Sequence, residues 1–258
     1  IEFGDSRFHC WKKDGHGWLN MVGAIEQSCD VYFYELAKRV GIKRIGEMAA
    51  RFGFGETFNF GLPGENRGLI PTPAWKKKTF GQVWHAGETL ITSIGQGFIL
   101  CTPLQLAVMT CRLVNGGRPV SPRLLQNENR KTLKSKSPQV NPQHLRTILK
   151  GMDKVVNGPQ GTARKVVNRN MNFQFGGKSG SVQVKRISLD ERESGKLKNK
   201  DRPWHERDHA MFVAFAPLKS PRYVVSVVVE HGGGGSTMAA PIARDILAEA
   251  LRLNPSRL

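Results

Sequence analysis

The chain has 258 residues, 39% of them hydrophobic and 23% charged, which is the composition of a globular protein able to bury a substantial core. Lys and Arg number 39 against 21 Asp and Glu, so the formal net charge is +18 and anionic partners are favoured. The sequence nevertheless lacks zinc-finger spacing, an aromatic RNA-binding strand and a basic zipper, and we expect no nucleic-acid partner. It also lacks an apolar run of the roughly 18 residues that span a bilayer, and its cysteines are too few for a disulfide scaffold.

The amino-terminal part of the chain predicts two helices followed by a long loop. Residues 31–41 and 42–53 each end at a glycine, the residue expected at a helix stop. Residues 55–86 are rich in Gly, Pro, Thr and Lys without periodicity, so they predict a loop. A loop of that length inside a compact domain is usually functional or disordered.

Two further helices open with a common signal. Thr102 is a good N-cap and a proline follows it, which predicts a helix over 104–115. Asn141 and the next proline predict another over 143–156. The polar segment 126–139 between them predicts an exposed connection.

The last third of the chain changes to strand character. Strands are predicted over 173–185, 209–216 and 223–230, with a Lys-rich loop at 186–207 and a short turn after the second strand. An antiparallel meander is the simplest arrangement of these three. Residues 239–251 predict a closing amphipathic helix. Helices, then strands, then one helix indicate an α+β fold.

Two short clusters contain residues suited to chemistry. Ser28-Cys-Asp stands just before a predicted helix, where the serine alone would be interpreted as a helix cap. Lys178-Ser-Gly-Ser opens a predicted strand, where the lysine alone would be interpreted as solvated. Together they match, in order and setting, the second and third of three elements in penicillin-binding serine enzymes, which are Ser-x-x-Lys, Ser-x-Asn/Asp and Lys-Thr/Ser-Gly.

Other segments agree with this match: Gln27-Ser-Cys-Asp-Val-Tyr-Phe-Tyr, Ile94-Gly-Gln-Gly, Thr102-Pro-Leu-Gln, Gly161-Thr-Ala, Lys178-Ser-Gly-Ser-Val-Gln-Val and Phe212-Val-Ala-Phe-Ala-Pro. The whole chain resembles class B penicillin-binding proteins, most closely the elongation type, penicillin-binding protein 2. The resemblance implies a β-lactamase/transpeptidase-like α+β fold, with an antiparallel sheet flanked by helices. Residues 1–258 would be the carboxy-terminal part of one transpeptidase domain.

The first element of the family is missing from this sequence. No serine in the chain is followed three residues later by lysine. In the family that motif lies before Ser-x-Asp, so we expect it, the amino-terminal strands and the nucleophile's helix to precede Ile1. We therefore expect this fragment to be inactive alone.

The resemblance also implies site roles. The missing serine would attack a D-Ala-D-Ala stem peptide of peptidoglycan, and an amine of a neighbouring stem would resolve the acyl-enzyme, without a catalytic cofactor. Ser28 would relay a proton, Asp30 would help fix the missing lysine, and Lys178 would supply positive charge. Ser179 and Ser181, on either side of Gly180, would bind the substrate carboxylate, and the Ser181 N–H would be an oxyanion donor. The preceding Gly176-Gly177 would let a backbone lie close to the ligand.

The resemblance further implies β-lactam binding and a role in cell elongation and shape. Expected partners are a SEDS-family glycosyltransferase and other membrane proteins of the elongation complex. The expected location is the periplasmic side of the bacterial inner membrane, with an anchor upstream of this chain. Two alternatives stay open, namely a β-lactamase or D,D-carboxypeptidase relative, and a non-catalytic sensor of muropeptides or β-lactams.

Cys10, His16 and Cys29 form a third cluster. Their spacing matches no standard zinc finger, and they could be two packed thiols and a turn histidine. Some proteins of the resembled group carry a structural zinc near this segment, which implies a zinc site here with a further ligand upstream. Trp84, His85, Gly87 and Thr89 are expected near the active site; His85 as a general base is the less favoured alternative.

Overall fold

The computed structural model describes residues 1–4, 6–125, 140–167, 171–185 and 199–254. Its elements are, in chain order, β1 Glu2–Phe3, β2 Ser6–Arg7, α1 Met21–Glu26, α2 Asp30–Arg51, α3 Pro73–Phe80, α4 Ala86–Ser93, α5 Pro103–Val114, α6 Pro142–Asn157, β3 Gly176–Val182, β4 His209–Ala216, β5 Tyr223–Val229 and α7 Ala240–Leu253. The chain forms two compact units, Ile1–Ala24 with Cys29–Ile148, and Ile25–Ser28 with Leu149–Leu258. Within the described ranges, every helix is too short or too polar to cross a bilayer.

Apart from the short antiparallel pair β1 and β2, the first unit is built from helices, and its long helix α2 is broken where the sequence predicts. Gly41 has φ 77° and ψ 156° inside α2, so the two predicted helices are confirmed as two segments that meet at this glycine. Tyr34 and Ala37 of α2 pack with Leu90 of α4 in a buried cluster. These contacts fix the helix that begins at Asp30, the last residue of the Ser-Cys-Asp motif.

The predicted loop over 55–86 is wrong at Pro73–Phe80, where the structure forms α3. The Thr72 hydroxyl accepts a hydrogen bond from the Trp75 N–H at 3.1 Å, and Gly81 ends the helix in a left-handed conformation. Periodicity misses this helix because its buried residue is Lys76, which pairs with Glu88 at 2.6 Å. A charged side chain in the core position hides the apolar pattern.

Two short helices were not predicted at all. In α4 the Glu88 carboxylate accepts a hydrogen bond from the His85 backbone N–H at 2.7 Å, although histidine is not a preferred capping residue. In α1 the Asn20 side chain accepts one from the Gly23 N–H at 2.9 Å, but the helix has only six residues. Both are too short for an apolar period to emerge.

Helices α5 and α6 agree with the sequence. In α5 the predicted N-cap Thr102 is confirmed, and Gln105 completes a reciprocal capping box with it. The α6 helix covers the predicted 143–156. The predicted connection 126–139 lies outside the described residues.

The second unit contains the predicted antiparallel meander, with strand order β3-β4-β5. Strand β3 is shorter than the predicted 173–185, and Lys178 and Ser181 in it pair with Val213 and Ala210 of β4. Helix α7 confirms the closing helix and contacts β4 and β5. Residues 186–198 of the predicted Lys-rich loop lie outside the described ranges, while Asn199–Asp201 and Trp204–Glu206 form short turns of helix.

The two glycines that open β3 have a packing role. A Cβ on Gly176 would collide with the Phe215 ring, and one on Gly177 would collide with the Phe212 ring and the Val213 carbonyl oxygen. Both phenylalanines are buried at 1% exposure. These glycines therefore leave room for the aromatic rings of β4, while their expected role in letting a backbone lie close to a ligand stays a prediction.

Candidate active site

Ser28 lies in a tight turn and not in the cap position of α2. It has φ 51°, in the left-handed region that serine rarely adopts, and its N–H donates to the Ile25 carbonyl at 3.3 Å. The residue that caps α2 is Cys29, whose side chain makes no cap hydrogen bond. The helix-cap interpretation of Ser28 is therefore wrong, and the turn leaves its hydroxyl available to another partner.

That partner is Lys178 of β3. The Lys178 Nζ donates to the Ser28 Oγ and, at 2.9 Å, to the Ser179 carbonyl oxygen. The lysine and both serines are half-buried, so the charge acts with less screening than at an open surface. The second unit thus brings together residues 150 positions apart, one from each of the two motifs.

The other two hydroxyls of the motif strand have their own contacts. The Ser179 Oγ lies 3.1 Å from the Thr162 Oγ1, and the exposed Ser181 accepts a hydrogen bond from the Gly235 N–H at 3.3 Å. Gly180 lies directly against Gly235, where a Cβ would collide with the Gly180 carbonyl oxygen. A lysine ammonium beside two serine hydroxyls is suited to bind a carboxylate, since all three can donate hydrogen bonds to it.

Three residues of this site were given no role from the sequence. Thr162 was noted only as part of Gly161-Thr-Ala and Gly235 only as part of the glycine run that ends the sheet, while Glu26 was not considered. The only sequence signals for the last two were a glutamate two residues before Ser28 and a glycine run before the last helix. Neither indicates a contact with β3 until the fold is known.

Asp30 belongs to the first unit. Its carboxylate accepts a hydrogen bond from the Trp11 backbone N–H at 3.0 Å, and as the first residue of α2 it also suits the positive end of the helix dipole. This contact ties the segment that carries Cys10 to the start of α2.

The Cys10, His16 and Cys29 side chains converge in the same unit. Their ligand atoms lie within 4.8 Å of one another, and the Cys10 Sγ is 3.5 Å from the His16 Nδ1. The buried Nε2 of His16 has no hydrogen-bond partner among the described residues. Two thiols and an imidazole are a donor set typical of zinc, so the residues present fit that metal.

The protonation of this cluster follows from its burial. Burial lowers the pKa of the His16 imidazole, Lys12 lowers it further, and Asp30 opposes them. Burial raises the pKa of the Cys29 thiol, the Tyr32 backbone N–H lowers it, and Cys10 raises it again. A neutral imidazole is the form that binds a metal, whereas the thiols have to lose their protons.

The four residues expected near the site from residues 55–86 and α4 lie in the first unit. The Trp84 indole donates to the Thr89 hydroxyl at 2.9 Å, and a Cβ on Gly87 would press on the Phe8 ring. The His85 side chain is exposed, and its backbone starts α4. Their observed contacts are those of a helix start.

Comparison with known proteins identifies the family. The model of the penicillin binding protein transpeptidase domain matches residues 1–248. The chain belongs to this family. Its fold is accordingly the transpeptidase fold, which confirms the α+β expectation of helices with an antiparallel sheet.

Individual relatives of this chain agree with its assignment to the penicillin-binding family. The peptidoglycan D,D-transpeptidase MrdA of Haemophilus influenzae is 38% identical over 249 residues, covering 93% of this chain and 38% of the relative. Penicillin-binding protein 2 of Helicobacter pylori, solved in complex with MreC, superposes with a TM-score of 0.85 at 34% identity, over 98% of this chain and 44% of that one. Penicillin-binding protein 2 of Pseudomonas aeruginosa, solved with WCK 5153, gives 0.81 at 37%, over 96% and 53%. The chain thus spans about two fifths of the length of the curated relatives it matches.

Proposed function

We propose that this chain is the carboxy-terminal part of a peptidoglycan D,D-transpeptidase. The observation that carries the proposal is the contact between the Lys178 Nζ and the Ser28 Oγ, because it joins the second and third family motifs in one site. The names of the similar proteins support the same activity. The nucleophile would come from a Ser-x-x-Lys segment outside these 258 residues, since the chain contains none.

The reaction would combine Ser28 of the second unit with the serine and lysine of the absent motif as follows. The serine of the absent Ser-x-x-Lys motif attacks the penultimate D-Ala carbonyl carbon, and its proton passes to the lysine of that same motif. Ser28 relays a proton to the nitrogen of the breaking amide bond, so that D-alanine leaves as an amine. An amine of a second stem peptide then attacks the ester, forms the cross-link and returns the proton to the serine.

The remaining motif residues would bind and polarise the substrate. Lys178 holds positive charge beside Ser28, and the hydroxyls of Ser179 and Ser181 bind the terminal carboxylate. The backbone N–H of Ser181 would stabilise the developing oxyanion, a contribution that is typically about 10²- to 10³-fold in rate. Asp30 would help position the absent lysine.

The setting of the reaction is part of the same proposal. We place the longer protein on the periplasmic side of the bacterial inner membrane, with an anchor outside this chain. The Helicobacter pylori neighbour was solved as a complex with MreC. A protein similar to MreC, and a SEDS-family glycosyltransferase, are the partners we propose for cell elongation.

A structural zinc would stabilise the first unit. Cys10, His16 and Cys29 would hold it, with a further ligand from outside these residues. When bound, the metal supplies a cross-link and no chemistry to the reaction. The three side chains would tie the segment after β2 to the start of α2, and therefore the Ser-Cys-Asp motif to its surroundings.

The test is acylation of the longer protein that contains a Ser-x-x-Lys motif. Intact mass measured before and after incubation with penicillin should show one penicilloyl unit on a segment outside residues 1–258. Lys178→Met should abolish the adduct on the same timescale, while Lys165→Met, which changes an exposed lysine, should not. No adduct on the longer protein would favour the non-catalytic sensor, and an adduct on these residues would overturn the assignment of the nucleophile.

A further inference from the structure

Lys178 belongs to a closed ring of contacts. Lys178 contacts Ser28, and its neighbour Ser179 contacts Thr162 at 3.1 Å. Thr162 donates through its backbone N–H to the Glu26 carbonyl at 3.3 Å, and Glu26 lies two residues before Ser28. The ring therefore returns to its start, and all of its members belong to the second unit.

Glu26 holds the loop that carries Thr162. It is 9% exposed, and its Oε1 accepts a hydrogen bond from the Gln160 backbone N–H at 3.0 Å. One residue thus binds the loop twice, with its side chain at Gln160 and its main chain at Thr162. A buried carboxylate needs such donors, because burial without them is costly.

The loop Gly158–Thr162 is built to fit against Glu26 and the end of α6. A Cβ on Gly158 would collide with the Glu26 carboxylate, and one on Gly161 would collide with the Lys154 and Val155 carbonyl oxygens. Ala163, the next residue, is 1% exposed, and its N–H donates to the Val155 carbonyl at 2.9 Å. The backbone on both sides of Thr162 is therefore fixed.

The hydrogen bond between the Thr162 and Ser179 hydroxyls can have either residue as its donor. Each hydroxyl has one proton to donate and can accept from others. If the Thr162 hydroxyl donates to the Ser179 Oγ, the Ser179 proton remains for another acceptor. An anionic group beside Lys178 is the acceptor that this arrangement favours, because a charged acceptor makes the stronger hydrogen bond.

We propose that Thr162 and Glu26 are positioning residues for carboxylate recognition. Thr162 orients the Ser179 hydroxyl toward the carboxylate of the substrate, and Glu26 keeps the Thr162 loop at a fixed distance from Ser28. The inference rests on the proposed function, in which Ser179 binds that carboxylate. It adds two residues outside the three family motifs to the recognition site.

The test uses the longer protein and a pair of probes, benzylpenicillin and its methyl ester, which lacks the carboxylate charge. Thr162→Val has nearly the same shape without the hydroxyl, and Thr162→Ser retains the hydroxyl. We expect Thr162→Val to bind the acid about three- to tenfold more weakly, the range for loss of one hydrogen bond, with its maximal acylation rate unchanged within about twofold. Ester acylation should be unchanged, and Thr162→Ser should restore binding of the acid.

Three results would overturn the inference. Equal losses for acid and ester would indicate a purely structural role for Thr162, and no loss for the acid would indicate no role. Failure of both probes to acylate the unmodified protein would instead overturn the proposed function, and this inference with it. The unmodified protein therefore separates the two failures.

Glu26 is tested by combining it with Thr162. Glu26→Ala removes the acceptor of the Gln160 N–H, and Glu26→Gln retains an oxygen in its place. We expect Glu26→Ala to weaken acid binding as Thr162→Val does, the double variant to lose no more than about the larger single loss, and Glu26→Gln to lose less. Additive losses would show that Glu26 acts independently of Thr162. Where Glu26→Ala does not fold, an equal effect of Glu26→Gln on acid and ester overturns its positioning role.

Discussion

The backbone N–H of Gly235 donates to the Ser181 hydroxyl at 3.3 Å, so the turn before α7 touches the exposed end of the motif strand. The contact requires a residue without a side chain, because a Cβ on Gly235 would collide with the carbonyl oxygens of Gly180 and Met211. The stability of the turn and the position of the motif strand are thus linked at one glycine.

Gly235→Ala is expected to destabilise the protein by about 1–3 kcal/mol, because the new methyl group has backbone on both sides and no flexible neighbour to displace. Urea unfolding of the longer protein measures the loss. Thr237→Ala, two residues further along the same turn and exposed, serves as the matched control and should change stability by less than about 1 kcal/mol. An unchanged midpoint for Gly235→Ala would contradict the packing argument.

Two Glu–Lys pairs of similar length should differ in their contribution to stability. Lys76 and Glu88 are 2.6 Å apart with side chains 3% and 20% exposed, while Lys38 and Glu35 are 2.7 Å apart and 28% and 47% exposed. Glu88→Gln should cost about 3 kcal/mol, because it leaves a buried ammonium without its counter-charge. Glu35→Gln should cost less than about 1 kcal/mol. Chemical unfolding of both variants tests the contrast, and equal losses would show that burial does not decide it.

Zinc content should follow the three-residue cluster. The longer protein should contain about one zinc per chain by metal analysis, and Cys29→Ser should lower both the content and the melting temperature, since structural zinc contributes directly to folding. Cys111→Ser is the control, because that thiol lies in α5 and outside the cluster. A full-length protein without zinc that melts at the same temperature with and without chelator would refute the site.

The cysteines outside the cluster should resist alkylation. Burial raises the pKa of both Cys101 and Cys111, and the thiolate is the reactive form. Mass spectrometry after iodoacetamide treatment at pH 8 should find both unmodified in the folded protein and modified after unfolding. Because their folded pKa lies above the unfolded value, their contribution to stability is present below about pH 8.5 and is lost as the pH rises through the folded pKa. Rapid labelling of the folded protein would contradict this.

The sequence predicts those parts of the fold that depend on local signals. The break at Gly41, the N-cap at Thr102 and the valine-rich run in Tyr223–Val229 all arise within a few residues, and the structure agrees with them. Helix α3 was missed since its core position holds Lys76, whose counter-charge lies twelve residues away in another helix. A pairing of this kind leaves no periodic trace in either segment.

The candidate site could likewise be predicted only where the signal is in the motifs themselves. The motifs indicated Ser28 and Lys178 as a pair because the family pattern specifies them in order. The contacts of Ser179 with Thr162 and of Ser181 with Gly235 join residues 17 and 54 positions apart. Threonine in a loop and glycine in a turn are too common to indicate a contact that only the sheet register and the end of α6 bring about.

The phenylalanine rings under Gly176 and Gly177 also bear on how this protein can evolve. Any side chain gained at either position would have to displace Phe215 or Phe212 from a core in which both are almost fully buried. The other end of the same strand, at Ser181, faces solvent. Relatives of this chain should therefore retain both glycines, because a side chain at either position would disturb the core before it altered any contact at the exposed end of the strand.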